Sequence, residues 1–165
     1  MSFSSPRDLF LASLAQMLWI ERTLVFEVLP ELHRQVQSES LAAAVEEHLA
    51  QTRGHVTRVE VAFRALGAEP VSARSAPAAA LADEHREVAA KIVEPQLADL
   101  FHAGAAIRTE HLELAAYDLL LELARALDRD DVAEPLTQNR AEEAEALARV
   151  EALAEQLRRE LPAPQ

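Results

Sequence analysis

The sequence predicts an all-α fold, in which four long helices form a bundle and a short additional helix lies in the crossover. Three observations carry this expectation. Half of the residues are hydrophobic but only 4% are aromatic, and the composition leans on Ala, Leu, Glu and Arg, which propagate helices well. Apolar residues recur at helical spacing over long stretches, while β-branched runs alternating with period two are absent. Only 3 of the 165 residues are Gly, so few positions interrupt a helix. A chain of this length suits one domain, residues 1–165, with a sizeable core.

The first helix is expected over 8–37. Ser5 can cap it, Pro6 suits the first helical position, and Asp8 sits in the first turn where the helix dipole favours a carboxylate. Pro30 is expected to kink or interrupt it. The second helix, 38–66, can start at a Ser38 or Ser40 cap and stop at Gly67, a candidate left-handed cap. Residues 68–78, with Pro70 and Pro77, read as a connector. A short helix follows over 79–93, and Pro95 opens the third long helix, 95–127. The acidic turn from Asp128 to Asp131 leads into the fourth, 131–160, which ends before Leu161-Pro162. Pro135 is placed near its first turn, where a missing N–H costs little.

Charge and composition narrow the function. A formal net charge of −12 is the wrong sign for binding phosphates, so no nucleic-acid partner is expected. It also disfavours anionic membranes, and no apolar run reads as long enough to cross a bilayer. The N-terminus lacks the basic and apolar regions of a signal peptide. The absence of Cys removes disulfides, thiolate metal sites and Cys nucleophiles. A soluble, cytoplasmic protein with no membrane partner is the expectation.

The informative residues are polar ones on faces that should be apolar. Helix positions spaced by three, four and seven share a face. In the first helix that face is Phe10, Leu14, Leu18, Glu21, Val25 and Val28. The second offers Leu41, Val45, His48, Thr52, His55, Val59 and Leu66, with Gln51 at the edge. The third gives Ala103, Ile107, Glu110, Leu114, Tyr117 and Leu121, with Glu113 on its flank. The fourth gives Leu136, Arg140, Glu143, Leu147, Val150 and Ala154. Each long helix therefore points at least one polar group inward. A buried carboxylate costs several kcal/mol unless it is paired, protonated or bound to a metal.

Two arrangements satisfy such a constellation. Inward carboxylates and imidazoles from four helices suit a pair of iron or manganese ions, for which the usual donors are one Glu from each of two helices and a Glu-x-x-His from each of the others. The candidate ligands are Glu21, Glu110, Glu143, His48, His55 and Glu113, although no Glu-x-x-His occurs in the second or fourth helix. Alternatively, Arg140 neutralises the carboxylates, and His48, His55 and Tyr117 are hydrogen-bonded core residues in a metal-free network. Glu46, Glu122, Glu142 and Glu145 read as a solvated face, and His33, His85, His102 and His111 as surface. No residue is assigned a catalytic role.

Four segments carry a family resemblance. They are Leu18-Trp19-Ile20-Glu21-Arg22-Thr23-Leu24, the run from His48 to Glu60, the run from Glu110 to Tyr117, and Glu142-Glu143 with Ala146. The second is similar to a His-Leu-x-Glu-Thr-x-x-His-x-x-Arg pattern, and the third to Glu-His-Tyr-Glu-Ile-Ala-x-Tyr. Together they resemble the YciE/YciF family of bacterial ferritin-like stress proteins from Asp8 to about Ala154. The resemblance implies a ferritin-like four-helix bundle, a homodimer and an association with stress responses. It implies no established activity.

The chain departs from the family pattern at three places. Gln51 stands where the family has Glu, Leu147 where it has Asp, and Arg140 where an apolar residue is usual. These changes weaken a dinuclear site and leave a mononuclear one, built from Glu21, Glu110, Glu143 and a His, as the residual expectation. The functional reading is a stress-associated bundle with a degenerate or weak metal site. The alternative is a di-iron or di-manganese oxidoreductase acting on oxygen or peroxide. Iron storage and DNA protection lack sequence support, since neither a cage-forming surface nor a basic tail is visible.

Overall fold

The computed structural model describes residues 3–161; Pro162, read as a stop signal, lies outside them. The helices are α1 (Pro6–Thr23), α2 (Leu29–Gln35), α3 (Glu39–Ala65), α4 (Ala76–Ala89), α5 (Pro95–Ala126) and α6 (Asp130–Glu160), with a π-helical turn at Leu24–Val28 joining α1 to α2. Among the described residues there is no strand. The fold is an all-α, ferritin-like bundle.

Local chemistry explains each boundary. The Asp8 N–H donates to Ser5 Oγ at 3.1 Å, and the Asp8 carboxylate accepts from the N–H of Ser4, a reciprocal N-terminal cap. Pro30 does not break the first long helix. It has no N–H for the carbonyl four residues back, and the turn before it widens so that Leu29 N–H reaches Leu24 O. The extra residue re-phases the helix, so Leu29 and Leu32 are buried while Phe26 is 74% exposed. Ser38 caps α3, and the buried Asp99 carboxylate holds the preceding bend by accepting from Gln37 N (2.9 Å) and Ser38 N (2.8 Å). Gly67 ends α3 at φ 67, a left-handed position that Gly adopts without a Cβ clash.

Most helix ends fall within two residues of the sequence reading, and the short helix and Pro135 differ from it. The short helix α4 spans Ala76–Ala89 rather than 79–93. Pro77 fits within its first turn, and Glu94, the residue before Pro95, is extended (φ −82, ψ 118) as the proline ring requires. Pro135 lies inside α6, which starts at Asp130, so its missing N–H removes a helical bond instead of falling at an end.

The helices close a ring in which α1 packs on α3, α3 on α6, α6 on α5 and α5 on α1, while α4 lies along α5. Phe10, Leu14, Phe63, Leu120 and Leu136 belong to one apolar core with Leu29, Leu32, Leu41 and Val45. A layer of buried polar side chains lies within the same bundle. The helical stretch Pro6–Gln35 does reach the length and hydropathy of a membrane span, contrary to the expectation that none would. Half of its most apolar part is buried inside the bundle, where it supplies core side chains and Glu21.

Candidate metal centre

Six buried side chains from four helices converge in the polar layer. They are Glu21 on α1, His48 and His55 on α3, Glu110 and Glu113 on α5, and Glu143 on α6. The spacing explains the convergence. His48 and His55 lie two turns apart on one face, and Glu110 and Glu113 one turn apart. Glu113, placed by the sequence on a flank, is fully buried.

The six divide into two groups that share one residue. His48, Glu110, Glu113 and Glu143 offer ligand atoms all within 4.8 Å of one another, and so do Glu21, His55 and Glu143. His48 Nε2 lies 3.4 Å from Glu110 Oε1 and 3.8 Å from Glu143 Oε2. His55 Nδ1 lies 2.8 Å from Glu143 Oε1 and 3.4 Å from Glu21 Oε2. These are close charge contacts without hydrogen-bond alignment, since eight buried polar atoms here have no hydrogen-bond partner. They are Glu21 Oε2, His48 Nδ1, His55 Nδ1, Glu110 Oε2 and both carboxylate oxygens of Glu113 and Glu143. Buried polar atoms are almost always partnered, so a cluster of orphans fits a cation site.

Electrostatics agree. Burial pushes the Glu110 carboxyl up to about 8, with Glu143 adding to the shift and His48 opposing it. Burial, then Glu143, Glu21 and Glu110, holds Glu113 well above the carboxylate range. Glu143 is raised by burial and by Glu21, and burial lowers His48. Burial opposes charge on His55, but the carboxylates of Glu143 and Glu21 prevail and raise it to about 10. Four buried carboxylates face two imidazoles, a surplus of negative charge that protons must relieve when no metal does.

Several sequence assignments are corrected. Arg140 does not enter the core; it pairs with Asp118 at the surface. Asn139 is the inward residue, donating to Tyr117 Oη at 2.7 Å and to His55 O at 3.3 Å. Tyr117 in turn donates to Glu21. Glu142 is no part of a solvated face: its carboxylate bonds to His55 Nε2 at 2.9 Å and pairs with Arg58. Burial opposes ionisation of Glu142, but hydrogen bonds from Gln138 and His55 and the Arg58 charge lower its pKa. His102 is buried and hydrogen-bonded to His85 at 2.8 Å. Gln51 and Leu147 are half-buried. A cavity of about 40 Å³ reaches His48, Glu110 and Gln51 through mostly apolar walls that include Leu29, Leu41 and Ala106.

Comparison with known proteins places the chain in a wider group. A family model described as a domain of unknown function (DUF892) matches residues 5–161. Among solved structures the chain is similar to YcfI from Rhodopseudomonas palustris, with 27% identity, a TM-score of 0.87, and coverage of 90% of this chain and 94% of that one. It is also similar to the E. coli stress protein YciF, with 24% identity, a TM-score of 0.91, and coverage of 96% and 100%. A Xanthomonas campestris protein gives 19% identity, a TM-score of 0.70, and coverage of 95% and 100%. No curated protein matches in sequence. The YciE/YciF resemblance read from the sequence stands.

Proposed function

This chain belongs to the DUF892 family, and from that premise we propose that it is a stress-associated helical-bundle protein whose centre binds two divalent transition cations, iron or manganese. The stress association follows the printed name of the E. coli relative. The observation that carries the metal reading is the set of eight unpartnered polar atoms within two donor groups that share Glu143. Carboxylates with two imidazoles suit iron and manganese, and a carboxylate common to both groups suits a bridge. Glu113 and the two His side chains supply donors that Gln51 and Leu147 do not. On this reading the site is altered in its ligand set rather than emptied.

When bound, iron or manganese would supply redox chemistry toward oxygen or peroxide. The chain's own contribution is to fix the donors on rigid helices and to keep bulk water away with the apolar core. The cavity beside His48 and Glu110 favours the oxidoreductase alternative, because it gives a small molecule a place next to the donors. The outward course of Arg140 leaves a metal-free network with His55 as its buried counter-charge, against four carboxylates.

Metal analysis of the desalted protein after anaerobic iron or manganese loading tests the proposal. Close to two equivalents per chain is the expected result, and a value below half an equivalent would overturn it. The homodimer stays part of this proposal on family resemblance. Light scattering should give twice the 18.2 kDa chain mass, and a monomer mass would remove it.

A further inference from the structure

The two candidate cation positions are not equivalent. The strong hydrogen bonds that reach the donors from outside end on Glu21 and His55, which belong to the same position. They form a continuous chain. His55 Nε2 bonds to Glu142 Oε2 at 2.9 Å, and Arg58 Nη2 donates to that same oxygen. Arg58 Nε donates to Asn139 Oδ1, Asn139 Nδ2 donates to Tyr117 Oη at 2.7 Å, and Tyr117 donates to Glu21 Oε1. Gln138 adds a 2.8 Å bond to the other Glu142 oxygen. The chain leaves one ligand and returns on another, passing through α3, α6 and α5 to α1.

The other position lacks this support. Both Glu113 oxygens, Glu110 Oε2 and His48 Nδ1 are unpartnered, and the outer contact of His48 is with the neutral amide of Gln51, where His55 has the carboxylate of Glu142. The cavity of about 40 Å³ opens on this position, at His48 and Glu110. Gly54 gives independent weight to the asymmetry. A Cβ there would lie 3.3 Å from Arg58 Nη1 and 3.4 Å from Nη2. Gly within a helix costs roughly 0.5–1 kcal/mol relative to Ala, and at this position it clears the space in which the guanidinium folds back over α3.

We propose that Glu142, bonded directly to His55, and Arg58, acting through Glu142 on one side and Asn139 and Tyr117 on the other, are positioning residues that hold His55 and Glu21 ready for a cation. The Glu21–His55–Glu143 position therefore fills first and tightly, and the His48–Glu110–Glu113–Glu143 position fills second and exchanges. This rests on the cation-binding reading above. Donation of the outer imidazole N–H to a carboxylate leaves Nδ1 free toward the cation and raises its basicity, and losing such a partner typically costs about 10–100-fold in metal affinity.

Anaerobic titration of the metal-free full chain with cobalt(II), followed by visible absorbance, tests the order. Two binding steps at least about tenfold apart are expected. Glu142→Ala should weaken the first step about 10–100-fold and leave the second in place. Glu142→Gln, which keeps an acceptor for His55, should recover part of the loss. Should Glu142→Ala fail to fold, Arg58→Met leaves every donor and Glu142 present and should also weaken the first step selectively. Two equal steps in the unaltered chain, or equal weakening of both steps in the variants, would overturn the proposal while leaving cation binding intact. No cobalt uptake by the unaltered chain would overturn the cation reading itself.

Discussion

Tyr117 donates its hydroxyl hydrogen to Glu21 across the centre of the bundle, with both side chains fully buried. The bond joins α5 to α1 and is continued by Asn139 from α6. Removing it strands a buried acceptor, which costs roughly 1–3 kcal/mol. Tyr117→Phe should therefore lower the stability of the metal-free protein by about 1–3 kcal/mol, measured by urea unfolding. An unchanged midpoint would mean that Glu21 finds another donor without cost.

The His85–His102 pair gives a pH dependence away from the candidate centre. The single hydrogen bond between Nε2 and Nδ1 needs at least one neutral ring. Burial is the largest cause lowering both pKa values; Glu31 on α2 opposes it at His85 and Asp99 on α5 at His102. His102, Arg108 and Arg86 lower His85 further. Because the folded values are depressed, the pair's stabilisation is full above the ordinary histidine pKa of about 6.5 and is lost as pH falls through the folded values. Hydrogen exchange of α4, corrected for intrinsic rates, should speed up as pH falls below about 6.5. His102→Gln should flatten that change; a wild-type profile already flat would count against the assignment.

Much of this arrangement is legible in the sequence, and the differences have definite causes. Glu21, His48, His55, Glu110 and Glu143 stand out because each interrupts an apolar stripe on a long helix. Arg140 takes the place of Asn139 in the sequence reading because both lie at helical spacing between Leu136 and Glu143. Each also continues into an apolar string, Asn139 to Ala146 and Arg140 to Leu147, so periodicity alone does not choose. Glu142 looks solvated because it is about 100° around the helix from Glu143; its partner His55 lies on another helix. His102 escapes notice for the same reason, since its partner comes from the crossover helix α4. The π turn before Pro30 reads as a kink because proline forbids a bond without saying how the helix absorbs the loss.

The surface position of Arg140 yields a negative prediction. Its partner Asp118 is mostly exposed, and so is much of Arg140 itself, and exposed pairs contribute at most about 1 kcal/mol. Arg140→Leu should leave both the metal content and the cobalt titration unchanged. A rise in bound metal would put the guanidinium back among the carboxylates.

Glu113 separates a ligand from a structural residue most sharply. Its carboxyl is fully buried, both oxygens lack partners, and burial with three neighbouring carboxylates holds its pKa well above the usual range. In the metal-free protein burial and these neighbours therefore favour its protonated form, close in shape and polarity to an amide. Glu113→Gln should then fold with an unfolding midpoint close to the unaltered protein when chelator is present. A neutral amide is a poor substitute for a carboxylate at a hard cation, so the same variant should lose the second cation. The difference should also appear as stabilisation by metal. A cation present at a hundred times its Kd adds about 2.7 kcal/mol to the folded state, and Glu113→Gln should forfeit the share owed to the second position. A variant equally destabilised with and without metal would make Glu113 a packing residue and not a ligand.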